Sequence, residues 1–287
     1  VQDGCNQFCT YCIIPYARGR VRSREKENIL NEVHKLAKAG YKEVVLTGIH
    51  LSSYGVDFPE DKKETLLSLI QAVNEVEGIQ RIRLGSLEPG IVTEEFAKEL
   101  SSMSKVCPHF HLSLQSGCDD TLRRMNRHYD TAEYRRIVGC LRASFENASI
   151  TTDIMVGFPG ETEEEFQLSC AFAEEIGFAK VHVFPYSRRP GTVADRMDGQ
   201  LTNAVKEERS ARMIALTQKT KDAFFRSQIG REESVLFEQP CAKNVWEGYT
   251  KNYTPVRVAS AVSLAGQERR VKLTEVSGDF CFGLLLP

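Results

Sequence analysis

The sequence has no run of about 18 consecutive apolar residues, so it offers no membrane-spanning helix. Its first residues carry Asp3 and three cysteines, where a secretory signal needs a basic and then an apolar stretch. It has no excess of either charge: 37 Lys and Arg stand against 39 Asp and Glu, a net −2. Any nucleic-acid surface must therefore be a local patch. Nine cysteines among 287 residues are too sparse for a disulfide scaffold. Their odd number and clustered spacing fit a reducing compartment, with the cytoplasm the expected location. What remains is an ordinary globular composition, 41% hydrophobic and 26% charged, long enough for about two domains.

From residue 25 to 227, helical patterns alternate with short apolar runs, as in a β/α architecture with a parallel sheet. Ile29, Leu30, Val33, Leu36 and Ala37 mark a helix over 25–39 that Gly40 ends. Strands are expected over Glu43–Thr47, Arg81–Leu84, Phe110–Leu114, Thr152–Val156 and Lys180–Phe184, with Val1–Asp3 the remnant of a first strand. Leu66, Leu67, Ile70 and Val73 define another helix, and Asp130/Glu133 and Thr162/Glu165 read as capping boxes. The fold class is thus α/β, a partial (β/α)6 barrel over residues 1–227 that closes with a long helix from Thr202 to about Ser227. A small all-β barrel over 228–287 should follow, with strands Ser234–Glu238, Thr254–Val258, Val271–Val276 and Phe282–Leu285. In such sheets chemistry collects at the carboxyl ends of the strands.

Cys5, Cys9 and Cys12 form a CxxxCxxC motif in the loop after the first strand. Three thiolates on so compact a loop can hold three irons of a cubane cluster and leave the fourth open to a small molecule. A structural zinc site, a disulfide and incidental core cysteines are the alternatives; zinc needs a fourth ligand, and the nearest histidine, His34, falls within a predicted helix. Cys107, Cys118, Cys140, Cys170, Cys241 and Cys281 are scattered and read as small buried hydrophobes.

The segment GCNQFCTYCIIPYARGRVRSR, with the aromatic Tyr11 before the third cysteine, resembles the radical S-adenosylmethionine (SAM) superfamily. The resemblance implies a [4Fe-4S] cluster on the three cysteines whose open iron chelates SAM, and reductive cleavage of SAM to methionine and a 5′-deoxyadenosyl radical. HLSLQSGCDDTLRRMNRHYD, DIMVGFPGETEEEF and VFPYSRRPGTVA narrow the likeness to methylthiotransferases. WEGYTKNYTPVRV is similar to the RNA-binding TRAM domain of the branch that adds a 2-methylthio group to N6-threonylcarbamoyladenosine beside the tRNA anticodon. Radical chemistry suits that reaction, because a purine C2–H is too weak an acid for a general base such as His50.

The family further implies an N-terminal domain with three more cysteines for a second [4Fe-4S] cluster; this chain opens at Val1 directly before its motif and has no second compact triad. The expectation is a fragment that generates the radical but does not complete methylthiolation alone. A flavodoxin or ferredoxin is the implied electron donor, and the sulfur source is not implied. Two alternatives stay open: a sister enzyme acting on isopentenyladenosine or on a ribosomal-protein aspartate, and a non-catalytic RNA-binding protein with a structural metal.

Further candidates lie at the strand ends. Thr47 and Gly48 occupy the place of the family's Gly-Gly-Glu stretch, of which only the glycine matches, and either line the SAM pocket or turn the chain. Ser113 and Gln115 could meet a ribose or bond within the barrel; Gly157, with Pro159, Gly160 and Glu161, could admit an adenine or serve turn chemistry. Arg18, Arg20, Arg22 and Arg24 alternate, and if extended would face a polyanion on one side, with Arg123, Arg124, Arg127, Arg188 and Arg189 on neighbouring loops. Tyr249 and Tyr253 flank Lys251, an interleaving that stacks and steers RNA bases or packs a small barrel.

Overall fold

A computed structural model of the chain describes residues 1–62 and 64–287. The first two-residue strand, β1 (Gln2–Asp3), pairs with the outlying β2 (Arg22–Ser23) beyond a short helix α1 (Ile14–Ala17). Helix α2 (Lys26–Lys38) then buries Ile29 and Val33 and leads into β3 (Glu43–Leu46). The repeat continues through α3 (Leu66–Asn74), β4 (Arg81–Leu84), α4 (Glu94–Ser102), β5 (His109–His111), α5 (Asp119–Arg124), α6 (Thr131–Ser144), β6 (Ser149–Val156), α7 (Glu163–Ile176) and β7 (Lys180–Pro185). Parallel ladders join β3 to β4 and β5 to β6 and β7, and single bridges, Gln2 to Gly48 and Ile82 to Val106, complete the order β1-β3-β4-β5-β6-β7. The result is the expected six-fold open barrel.

Local chemistry sets the helix ends. Thr162 and Glu165 form a complete capping box on α7, and Gly177 ends that helix at φ +63°. Thr65 and Ser68 form a second box on α3. The expected box at Asp130 is only half made: its carboxylate accepts from the Glu133 amide, with no reciprocal bond. The helices pack Leu69, Ile70, Val73, Ile137 and Phe166 against the outer faces of the strands.

Helix α8 (Asn203–Gln228) packs against the barrel through Met213 and carries the chain into five strands: β8 (Glu232–Ala242), β9 (Val245–Thr250), β10 (Pro255–Ala259), β11 (Glu268–Ser277) and β12 (Phe280–Leu285). They close as β10-β12-β11-β8-β9 around Val235, Phe237, Val256, Val258, Val271 and Leu273. β9 is a strand beyond the four expected. Among the described residues no helix is long and apolar enough to cross a membrane.

The small barrel docks on the amino ends of the parallel strands. Arg81, fully buried, reaches the Tyr249 and Ser234 carbonyls at 2.8 Å and the Glu268 carboxylate at 2.7 Å. Ser149 Oγ donates to the Asn252 carbonyl at 2.6 Å, and Asn147, Gln228 and Asn252 bond one another around the end of α8.

Candidate active site

The loop carrying the three cysteines follows β1 and lies at the carboxyl ends of the strands. Gly4 turns the chain at φ +71°, where a Cβ would sit 1.9 Å from the Arg20 carbonyl, and the Cys5 amide donates to the Gly19 carbonyl at 3.1 Å. The segment after α5 clasps the loop. Thr10 donates to the Met125 and Arg124 carbonyls at 3.0 and 2.8 Å, and Asn126 Nδ2 donates to the Gln7 and Phe8 carbonyls. Phe8 and Asn126, at φ +51° and +58°, absorb the sharp bends this requires.

Cys5 is buried, Cys9 and Cys12 are half-buried, and all three thiols are free. Burial pushes the Cys5 and Cys12 thiols up, and the neighbouring cysteines push them further. Loading these thiols with metal must release protons. Among the described residues no three His, Cys, Asp or Glu side chains, the three cysteines included, converge on a single-ion site. Three soft thiol donors on one clasped loop fit a multi-iron body.

Beside Cys9 stands a buried polar set that sequence reasoning missed as a unit. Arg127 donates to Cys9 Sγ at 3.3 Å, to Glu88 Oε2 at 2.8 Å and to the Tyr129 hydroxyl at 3.0 Å. Tyr129 in turn donates to the Ser113 and Leu114 carbonyls at 2.6 and 2.7 Å. His50 Nε2 lies 3.4 Å from Glu88, and its Nδ1 meets Ser53 Oγ at 2.6 Å. Burial alone would raise the Glu88 carboxyl, yet His50 and Arg127 hold it below the ordinary range, so it is an anion. Glu88 follows β4 in a Glu-Pro-Gly turn, the one local signal that could have singled it out.

The expected cofactor residues separate on inspection. Tyr11 packs edge-on to Phe158 at 6.4 Å. Ser113 Oγ meets Ser86 Oγ at 3.2 Å in the open mouth. Gln115 sits at φ +70°, and among the described residues its side-chain amide has no protein partner. Gly48 is explained by Gln2, whose Oε1 would lie 2.8 Å from an added Cβ and accepts from the His50 amide at 2.8 Å. The Thr47 carbonyl binds the Val1 amine at 2.8 Å while its side chain stays exposed. Gly157 sits at φ +71° with the Lys206 side chain of α8 2.5 Å from where a Cβ would stand, so its missing side chain makes room for that helix.

The basic set needs correction. Arg18, Arg20, Arg22 and Arg24 are exposed at the cysteine end but do not form one extended face, because only Arg22 and Ser23 are strand. Arg22 pairs with Asp3 at 2.9 Å, Arg24 with Glu32 at 2.8 Å, and Arg20 lies over Phe8 at 4.5 Å. Tyr249, Lys251 and Tyr253 lie at the opposite end of the barrel, in the docked turn. Tyr253 stacks on Tyr249 at 4.8 Å, under Arg83 at 4.4 Å and beside His109 at 4.9 Å, and Lys251 Nζ donates to the Ser104 carbonyl. In this turn they pack at the docking seam, with Tyr253 still 46% exposed. Of the scattered cysteines, Cys107, Cys118 and Cys281 are buried as expected, whereas Cys241 is exposed.

The sequence pattern of the radical SAM superfamily matches residues 1–173. The chain belongs to that superfamily. Membership implies a [4Fe-4S] cluster and SAM. Over 95% of its length the chain is 39% identical to the threonylcarbamoyladenosine tRNA methylthiotransferase MtaB of Bacillus subtilis and covers 61% of that protein. It is 40% identical, again over 95% of its length, to a tRNA-2-methylthio-N(6)-dimethylallyladenosine synthase of Thermoanaerobacter, covering 58% of it. The chain thus spans about three fifths of the curated relatives it matches. Among solved structures it superposes on coproporphyrinogen III oxidase of Escherichia coli with a TM-score of 0.56 at 13% identity, covering 87% of this chain and 65% of that one. A radical SAM methyltransferase of Kitasatospora setae gives the same TM-score at 18% identity, covering 68% and 37%. These likenesses show the fold.

Proposed function

We propose that this chain is the radical-generating and RNA-engaging part of a tRNA methylthiotransferase, adding a 2-methylthio group to N6-threonylcarbamoyladenosine next to the anticodon in the cytoplasm. The observation that carries the reading is the free thiol triad of Cys5, Cys9 and Cys12 on one clasped loop at the carboxyl ends of the strands. When bound there, a cluster and SAM supply one-electron cleavage of a sulfonium and hence a carbon radical able to abstract an unactivated hydrogen.

The chain's own residues perform the rest. The clasp from Arg124 to Asn126 fixes the cysteine loop, and Arg127 and Tyr129 order the pocket floor. The Ser113–Ser86 hydroxyl pair and the Gln115 side-chain amide present polar groups to a ribose or amino-acid moiety, and Tyr11, packed on the buried Phe158, offers an apolar wall. Arg18, Arg20 and Arg24 form a basic rim at that mouth, where tRNA phosphates would be neutralised. A flavodoxin or ferredoxin is the proposed electron donor. We assign the second cluster and the completing sulfur chemistry to the part of the longer relatives outside the three fifths that this chain matches.

Anaerobic reconstitution should give four irons and reductive cleavage of SAM to 5′-deoxyadenosine, both lost in Cys9→Ala; stoichiometric zinc without cleavage would favour the structural-metal alternative. The comparable identity to dimethylallyladenosine synthases supports the sister substrate as a second reading. Mass spectrometry of tRNA from cells lacking the gene separates the two, by which modified adenosine loses its 2-methylthio group.

A further inference from the structure

Arg127 is unlike the other arginines at the mouth. Its side chain is almost wholly buried, at 6% exposure, and it is the one charged group among the described residues with a recorded bond to a sulfur of the triad. The other sulfurs of the triad accept from neutral backbone amides, Cys5 from Gln7 at 3.4 Å and Cys12 from Ile14. Three of the four other N–H donors of Arg127 are engaged, by Glu88, Tyr129 and the Ser113 carbonyl, so the guanidinium is held on Cys9.

An N–H donated to a ligating sulfur draws electron density from it, and a fixed positive charge favours whichever redox state is more negative. Each electron added to a thiolate-bound iron–sulfur core makes it more negative by one charge. In a buried site that preference is not screened by water. Glu88 acts in the opposite sense. It is an anion 2.8 Å from the same guanidinium, supported by His50, and it offsets part of the cation's field.

We propose that Arg127 is a positioning residue that raises the reduction potential of a cluster on Cys9, with Glu88 as the counter-charge that limits the rise. The inference rests on reading the three thiols as cluster ligands. The redox step concerned is the uptake of one electron by the oxidised cluster from a low-potential one-electron donor, before any SAM is present.

The test is a mediated potentiometric titration of the reconstituted chain without SAM, followed by the EPR signal of the reduced cluster, after iron and sulfide content have been matched. Arg127→Gln is expected to lower the ratio of reduced to oxidised cluster at a fixed poise at least tenfold, which is about 59 mV for a one-electron couple. Glu88→Gln is expected to move the midpoint the other way, and Arg127→Lys to fall between Arg127→Gln and the parent. A general loosening of the pocket would shift both positions in the same direction. An unchanged midpoint in Arg127→Gln, or equal-signed shifts in the two variants, overturns the proposal. If Arg127→Gln does not retain iron, Glu88→Gln decides, and the absence of a positive shift overturns it. A parent chain that takes up no cluster overturns instead the ligand assignment on which the proposal stands.

Discussion

Arg81 and Glu268 lie 187 residues apart in sequence and meet through two N–H donors, at 3.0 and 2.7 Å from a single carboxylate oxygen. Arg81 opens β4 and Glu268 opens β11, so the pair joins the two barrels at the end remote from the cysteine loop. In β4 the alternation is strict. Ile82 and Leu84 enter the helical core, while Arg81 and Arg83 point to the small barrel, Arg83 also pairing with Glu43 at 2.8 Å.

Arg81→Ala is accordingly expected to destabilise the docked state by about 3–5 kcal/mol, because it strands Glu268 and two carbonyls together. Chemical denaturation should change from one transition to two as the small barrel uncouples. Iron content after reconstitution should stay the same, since the thiols are at the other end. A single transition at the parental midpoint would show that the pair does not hold the barrels together.

His109 provides a pH signature for the same interface. Burial, with Arg83 and His111 adding, pushes its imidazole down to about 3, and its Nδ1 has no partner among the described residues. The unfolded chain would titrate near the ordinary value of about 6.5. Between about pH 6.5 and 3 the unfolded state takes up a proton that the folded state refuses, so stability falls as pH falls, by up to about 1.4 kcal/mol per pH unit from this group. His109→Asn should flatten that limb. Urea midpoints measured from pH 7 to 5 for parent and variant give the difference, and a constant difference across the range would refute the assignment.

Where an apolar run and its flanking signals were local, the sequence was sufficient: Arg81–Leu84 has its expected bounds, and the long helix ends within a residue of Ser227. β5 begins a residue earlier than expected and stops at His111, because the Leu114 amide bonds Thr152 Oγ1 and Gln115 turns to φ +70°. β9 escaped notice because its hairpin turns on Asn244 at φ +57° with no glycine to announce it. The cysteine triad was legible because its spacing is itself a chemical pattern. The pairing of Glu88 with Arg127 was not, because they are 39 residues apart and only the barrel brings them together beside Cys9. Composition did not place Tyr249 and Tyr253 at the docking seam, because a stacking platform for bases and one for a neighbouring domain have the same composition.

Glu161 and Arg209 tie the loop after β6 to α8. Both are buried, their charged atoms are 2.6 Å apart, and the same carboxylate oxygen accepts from the Gly157 amide at 2.7 Å. Glu161→Gln keeps an acceptor for that amide but leaves Arg209 uncompensated, apart from Glu163 at 3.6 Å. The expected cost is about 2–4 kcal/mol, and Arg209→Met in the same chain should restore part of it by removing the orphaned charge. Additive losses in this double-mutant cycle would mean that the two side chains act independently.

Gly4 links backbone geometry directly to the cysteine triad. At φ +71° any L side chain costs about 1–2 kcal/mol. The larger obstacle is the Arg20 carbonyl, 1.9 Å from where a Cβ would stand and part of the rigid backbone that receives the Cys5 amide. Gly4→Ala must therefore move Cys5 away from Cys9 and Cys12, whereas Gly40→Ala, at φ +91° with open space around it, carries the conformational cost alone. Iron bound per chain after reconstitution is expected to fall several-fold in Gly4→Ala and to stay at the parental level in Gly40→Ala. Equal iron in the two variants would show that the loop tolerates displacement at Cys5, and that the close approach of Gly4 to Arg20 does not fix the triad.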